Sequence, residues 1–260
     1  MRAAAPTRDK RLEAALANDE IDIRFQPQID PATRQVVGVE ALARWAEVAN
    51  PEALFARAAA AGLSERLSRT IQRKALRMVG QWGAVLGDLR LSLNVLPQDL
   101  DRPGFETWLL GEIALASLNP RRITVEIIES ALLLDRPAVA ERLASLRAQS
   151  VEIAVDDFGT GYANLLYLTS LPLDSIKIDR AMVAHLVERE RDRIVVKAMI
   201  SMARELGLKV IVEGIESVAQ LDLIERWGAD LYQGYLGAGA LDVAELARFV
   251  ATSPARACAA

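Results

Sequence analysis

Eight short β-rich runs, with helical patterns between most of them, constrain the fold of this chain more than any other feature of its sequence. They cover residues 22–29, 36–42, 89–95, 123–128, 151–155, 175–178, 209–212 and 231–235. Several are continuous and apolar, which is how a strand buried on both faces reads. Only residues 30–35, with a Pro and a Thr among them, separate the first two runs, so these are expected to form an antiparallel hairpin. After the hairpin the order is strand, helix, strand, helix. Residues 64–83 carry Leu67, Ile71, Leu76, Val79 and Trp82 at spacings of three to five, and residues 182–206 carry Val183, Leu186, Val187, Ile194, Val195, Met199 and Met202 in a similar pattern. Residues 137–148 begin with a Pro suited to a first helical turn. Residues 7–18 read as a short charged helix leading into the fold. Eight strands in this alternation within 260 residues predict a (β/α)8, TIM-like barrel. A doubly wound open sheet is the alternative, weakened by the absence of any Gly-x-Gly-x-x-Gly after the first strand.

No linker rich in Pro, Gly or Ser divides the chain, and no repeat is visible. The expected organisation is a lead-in helix over residues 1–20, one barrel over 21–252, and a tail over 253–260. A hydrophobic fraction of 52% suits one large core, and a net charge of -4 leaves no basic surplus for duplex nucleic acid. A single His and a single Cys exclude a multi-histidine zinc site, a disulfide and a Cys-x-x-Cys pair. This cysteine usage fits a reducing compartment, so a cytoplasmic location is expected. His185, on the helical pattern beyond the sixth run, is read as structural or solvent-facing, and Cys258 as idle in the tail. No apolar stretch reaches the length of a membrane span, and no signal-length apolar run follows Met1.

In a barrel, chemistry sits at the C-terminal ends of the strands. There the runs carry Glu40, Asn94, Glu126 and Glu129, the pair Asp156-Asp157, Lys177 and Asp179, Glu213 and Glu216, and Gln233. One strand-end acid is an ordinary helix cap or surface ion pair. So many converging on one mouth would be intolerable without cations to pair them. Oxygen donors without His suit Mg²⁺ or Mn²⁺ rather than Zn²⁺. A bridging carboxylate such as Asp156, with Asp157 beside it, is what a two-metal phosphodiester site needs. Gly159 and Gly161 directly after the acid pair permit a tight turn, credible as a lid or coupling loop. Arg44, close behind Glu40, is a natural phosphate partner.

These motifs resemble the EAL domains, the cyclic di-GMP phosphodiesterases, from about Leu12 to Phe249. The likeness rests on Phe25-Gln26-Pro27, Glu40-Ala41-Leu42-Ala43-Arg44-Trp45, Leu93-Asn94, Val125-Glu126-Ile127-Ile128-Glu129-Ser130, Asp156-Asp157-Phe158-Gly159-Thr160-Gly161-Tyr162, Ser175-Ile176-Lys177-Ile178-Asp179, Val212-Glu213-Gly214-Ile215-Glu216 and Gln233-Gly234-Tyr235. The resemblance implies a barrel with an antiparallel first strand, in agreement with the hairpin. It also implies hydrolysis of cyclic di-GMP to linear pGpG with two Mg²⁺ or Mn²⁺ ions. Carried over residue by residue, Glu40, Asn94, Glu126 and Asp156 would hold one ion; Asp156, Asp157 and, directly or through water, Glu213 would hold the other. Glu213 and Lys177 would orient or deprotonate the attacking water. Gln26, Leu42, Arg44, Asp179, Glu216 and Gln233 would line the substrate groove, and Glu129 would brace the Gly-rich loop.

Three places depart from the family's usual pattern. Ile128 stands where a Thr is usual, the segment after Trp45 is short, and Gly239-Ala240 replace a basic-Pro pair. None of them removes an expected metal ligand. A receptor that binds cyclic di-GMP without cutting it is the alternative function. The retained acids, Lys177 and Gln233 favour the enzyme. The resemblance further implies a homodimer through the segment carrying Tyr162, Leu165, Leu166, Tyr167 and Leu168, and, in a longer chain, an attached GGDEF or sensor domain.

Overall fold

Strand pairing follows the order of the runs along the chain. The structure, a computed structural model, describes residues 8–128, 136–159 and 166–253. The strands are β1 (Asp22–Ile29), β2 (Val36–Arg44), β3 (Arg90–Val95), β4 (Ile123–Ile128), β5 (Glu152–Phe158), β6 (Ser175–Ile178), β7 (Lys209–Val212) and β8 (Leu231–Tyr232), closed in that order into a barrel. β1 is antiparallel to both of its neighbours, and the other adjacent pairs are parallel. Around the barrel lie α1 (Lys10–Ala17), α2 (Pro51–Ala60), α3 (Ser64–Gly80), α4 (Pro97–Asp101), α5 (Phe105–Leu115), α6 (Arg136–Ala148), α7 (Leu166–Ser170), α8 (Arg180–Val183), α9 (Glu190–Glu205), α10 (Val218–Trp227) and α11 (Val243–Thr252).

Period-two alternation sorts each strand into two environments. Val39, Ala41 and Ala43 of β2, Leu91, Leu93 and Val95 of β3, and Ile123, Val125 and Ile127 of β4 form a buried apolar layer with the helices. Leu67, Ile71, Ala75 and Val79 supply that layer from α3. The intervening residues turn into the barrel, and many are polar. Gln28, Ser92, Thr124 and Ser175 are buried at mid-height, and Gly38 makes room for Gln28, whose Oε1 would lie 2.9 Å from any Cβ at that position. At the N-terminal ends of alternate strands, Glu152 pairs with both Arg90 and Lys209.

Two elements depart from expectation. The helix expected over 182–206 is divided into α8 and α9, and His185 lies exposed between them. Val196, Ile200 and Ala203 of α9 reach the core, whereas Ile194 and Val195 remain 61% and 44% exposed. Apolar residues surround too much of this helix for one stripe against the barrel to bury them all. The eighth strand ends at Tyr232 instead of continuing to Tyr235, because the chain turns at Gly234 (φ 150°). A Cβ there would meet Ile215 backbone atoms at 2.2 and 2.4 Å. This close approach ties the β8 end to the β7 end through Ile215 N donating to Gln233 O and Leu236 N donating to Ile215 O, each at 3.0 Å.

Candidate active site

The inward positions at the C-terminal ends of the strands converge on Lys177. Its side chain is fully buried, and Nζ lies 2.7 Å from Glu213 Oε1, 2.8 Å from Glu126 Oε2, 3.1 Å from Asp156 Oδ1 and 3.2 Å from Glu40 Oε2. Strand register produces this meeting, since Asn94 is opposite Glu126 and Ile128 is opposite Asp156. Amides complete the pairing of Glu40: Asn94 Nδ2 donates to Oε1 at 2.7 Å and Gln233 Nε2 to Oε2 at 3.0 Å.

Two successive residues of a regular strand face opposite ways, yet Asp156 and Asp157 serve one site. Asp157 takes a left-handed backbone conformation (φ 56°), and the β5–β6 pairing shifts register between Val155 and Phe158. This irregularity turns the second carboxylate back toward the first. The carboxylates then form two groups, Glu40–Glu126–Asp156 and Asp156–Asp157–Glu213, in each of which one oxygen per residue lies within 4.8 Å of the others. Asp156 belongs to both.

One ammonium cannot balance five carboxylates in so little water. Burial drives the carboxyls of Glu126 and Asp156 above their ordinary range despite Lys177, with neighbouring carboxylates adding to the rise. Burial likewise pushes Glu213 up to about 7, against the pull of Lys177. Lost hydration, then the charges of Asp156 and Asp179, push Asp157 up to about 6. Glu40 goes the other way: burial raises it, but Lys177, Asn94 and Gln233 together outweigh burial and hold it ionised. Burial alone would lower Lys177, and the surrounding carboxylates reverse that, holding it protonated. An excess of converging hard oxygen donors with a shared carboxylate fits a pair of divalent cations, Mg²⁺ and Mn²⁺ among them. Asn94 Oδ1 and the oxygens of Glu40, Glu126, Asp156, Asp157 and Glu213 are the available ligands.

Of the expected groove residues, Gln233 belongs to this cluster through its bond to Glu40, and the others lie outside it. Gln26 pairs in register with Glu40, and its Nε2 donates to Ala238 O at 3.4 Å, linking β1 to the loop after β8. Leu42 and Arg44 follow Glu40 at alternate positions of β2, both half-buried; Arg44 Nη1 donates to Ala43 O at 2.9 Å. Asp179 accepts from Ala181 N at the start of α8, and Glu216 is exposed just past β7. Glu129 lies outside the described residues, as do the side chains of 162–167 expected at a dimer interface; Leu168 of that segment is buried. The sequence reading missed Gln28. Its Nε2 donates to Gln233 Oε1 at 3.1 Å, to Ser92 Oγ at 3.2 Å and to Glu126 Oε1 at 3.4 Å, joining three strands beneath the acids. The signal was there, since Gln28 is two residues from Gln26 and shares its face. No helix among the described residues is long and apolar enough to cross a membrane.

Known proteins share both sequence and shape with this chain. It is 34% identical over 230 residues to the cyclic di-GMP phosphodiesterase PA2567 of Pseudomonas aeruginosa, covering 86% of this chain and 39% of that protein. Identity is 31% over 247 residues to the cyclic di-GMP phosphodiesterase NbdA of the same organism, covering 93% of this chain and 32% of NbdA. The chain thus spans about a third of the length of the curated relatives it matches. Among solved structures, the MucR phosphodiesterase of Pseudomonas aeruginosa in complex with c-di-GMP superposes with a TM-score of 0.84 at 30% identity, over 90% of this chain and 97% of that one. The sequence profile of the EAL domain matches residues 9–240, so that the closed barrel, its reversed first strand and the acids at its mouth lie within one continuous match, and the chain belongs to the EAL domain family.

Proposed function

We propose that this barrel is a metal-dependent phosphodiesterase that opens cyclic di-GMP to linear 5′-pGpG in the cytoplasm. The observation that carries the reading is the shared carboxylate: Asp156 belongs to two acid triplets gathered around one buried lysine. Glu40, Asn94, Glu126 and Asp156 would hold one Mg²⁺ or Mn²⁺, and Asp156, Asp157 and, directly or through water, Glu213 would hold the other. Bound there, the ions supply Lewis acidity toward the phosphate oxygens and the attacking water. Lys177, held as the ammonium, keeps the carboxylates converged and orients that water, and Glu213 is the group placed to take its proton. Water oxygen bonds to phosphorus as the bond to the 3′ oxygen breaks; water gives up one proton, the 3′ oxygen takes one and leaves as a hydroxyl, and the phosphate stays on the 5′ side of the product. Arg44 pairs with a phosphate, while Gln26, Leu42, Asp179, Glu216 and Gln233 line the groove. Glu129 braces the loop after β5. The same reading includes a homodimer and, in a longer chain, a sensor or GGDEF domain joined to residues 21–252, which accords with the greater length of the relatives.

Purified protein incubated with cyclic di-GMP and Mg²⁺ or Mn²⁺ should yield pGpG, resolved by chromatography. Partners outside the ligand set alone are worth 10–100-fold, so Glu40→Gln and Asp156→Asn should each cut turnover by more than about 100-fold. Full activity in either variant would overturn the ligand assignment. Tight binding of cyclic di-GMP with no product would replace the hydrolase with a receptor.

A further inference from the structure

Behind the barrel mouth lies a second buried polar cluster that none of the expected roles uses. Ser68 and Gln72 occupy the apolar stripe of α3, one helical turn apart, and Asp99 lies in α4. Each is 2% exposed or less, where burying polar groups is costly unless their bonds are made. Ser68 Oγ donates to Asp99 Oδ2. Gln72 Nε2 donates to Ser68 Oγ at 3.0 Å, to Asn94 O at 3.1 Å and, more weakly, to Asp99 Oδ2 at 3.4 Å. Leu96 N donates to Asp99 Oδ2 at 3.2 Å, and Arg102 pairs with Asp99 Oδ1 at 3.4 Å. Gln72 Oε1 finds no partner, so this arrangement is held at a cost in the core.

The backbone groups so gripped flank Val95. β2 pairs with β3 only as far as Leu93, so Asn94 is the first residue beyond that ladder. Gln72 bonds its carbonyl from α3, and Asp99 bonds the Leu96 amide from α4. The side chain of Asn94, on the residue whose carbonyl Gln72 holds, reaches into the site and bonds Glu40 at 2.7 Å. We infer that Ser68, Gln72 and Asp99 are positioning residues, a clamp that aims Asn94 at the cation site and thereby sets divalent-metal affinity. The inference rests on the metal reading above. β4 still pairs with Asn94 and Val95, so without the clamp this end of β3 would be held on that side alone, and whatever ordering of Asn94 was left to the ion would weaken affinity.

The test is calorimetric titration of Mn²⁺ into EDTA-treated, dialysed protein, paired with thermal melting. Gln72→Leu keeps the helix stripe filled and removes the bond to Asn94. It should weaken Mn²⁺ binding about 10–100-fold while the protein remains folded. Ser68→Ala should weaken it less, and Asp99→Asn, which retains an acceptor for Leu96 N, should retain more affinity than Asp99→Ala. Unchanged Mn²⁺ affinity in folded Gln72→Leu and Asp99→Ala, whatever their melting temperatures, would reduce the cluster to a packing feature and overturn the inference. Wild-type protein that takes up no Mn²⁺ would overturn the functional reading itself, and the clamp with it.

Discussion

Lys177 shows how far one side chain's environment departs from what its type suggests. A lysine in a strand usually carries its ammonium to water, but this one delivers its charge into the barrel among four carboxylates. Removing a partner from a buried ionic cluster leaves uncompensated charge, which costs about 3–5 kcal/mol. Lys177→Met should therefore destabilise the metal-free protein by about that amount, read from urea midpoints, and millimolar Mg²⁺ or Mn²⁺ should recover part of the loss. An unchanged midpoint would mean that the carboxylates shed their charge by protonation instead. The acids and Lys177 were legible in the sequence because each interrupts an apolar strand end. Gln28 shares the face of Gln26 and was legible to that extent, but its role follows only from the three strands it joins. The clamp residues were hidden for a related reason: Ser68 and Gln72 sit among charged helix residues and look solvated until α3 is docked.

Elements are held at their ends as much as by their faces. α1 is capped by Asp9, whose carboxylate accepts from Leu12 N at 2.9 Å and pairs with Arg57 at the end of α2, while Leu12 and Ala15 are buried. The Arg57 hydrogen bond first, then the Leu12 amide, hold the Asp9 carboxyl down at about 2, below its ordinary 3.8. A depressed folded-state value favours the ionised form in the native protein. Its contribution is present above pH 3.8 and is lost as pH falls through about 2. Asp9→Ala should cost about 1 kcal/mol at pH 6, as loss of an N-cap does. The gap between wild type and variant should narrow as the pH is lowered from 4 toward 2, measured by urea denaturation. A constant gap would show that Asp9 acts by packing alone. The break between α8 and α9 belongs to this scale as well: the periodicity of 182–206 runs through it, but Val183 and Leu186 pack beneath one stretch and Val196 beneath another.

Across the whole molecule the two ends of the barrel do different work. The C-terminal mouth holds an excess of negative charge, whereas at the opposite end Glu152 bridges Arg90 and Lys209 on alternate strands. Residues at that end of such barrels serve stability. Glu152→Ala should lower the melting temperature by a few degrees, an effect of about 1 kcal/mol for a partly exposed ion chain, without changing turnover per folded molecule. A loss of turnover at unchanged stability would show that the two ends communicate. Between them lie the buried polar residues Gln28, Ser92, Thr124 and Ser175, of which Gln28 bonds Ser92, Glu126 and Gln233, so the carboxylates rest on polar groups instead of on hydrocarbon alone.

Sequence alone determined the class of fold and the chemistry of the mouth. Alternation of β-rich runs with helical stripes is a local pattern, and so are acids placed at the ends of those runs. The hairpin at the start was equally local, set by a short connection between two strands. Tertiary structure decided how these parts meet. Asp157 joins Asp156 only because the backbone kinks at a register shift, and no strand pattern announces that. Ile194 and Val195 face outward because α9 can dock only one stripe. Lys177 meets four carboxylates because closing the barrel aligns residues up to 137 positions apart, and Asn94 is gripped from α3 and α4 for the same reason. Periodicity reports which way a side chain points; which neighbours it finds there depends on closure and register.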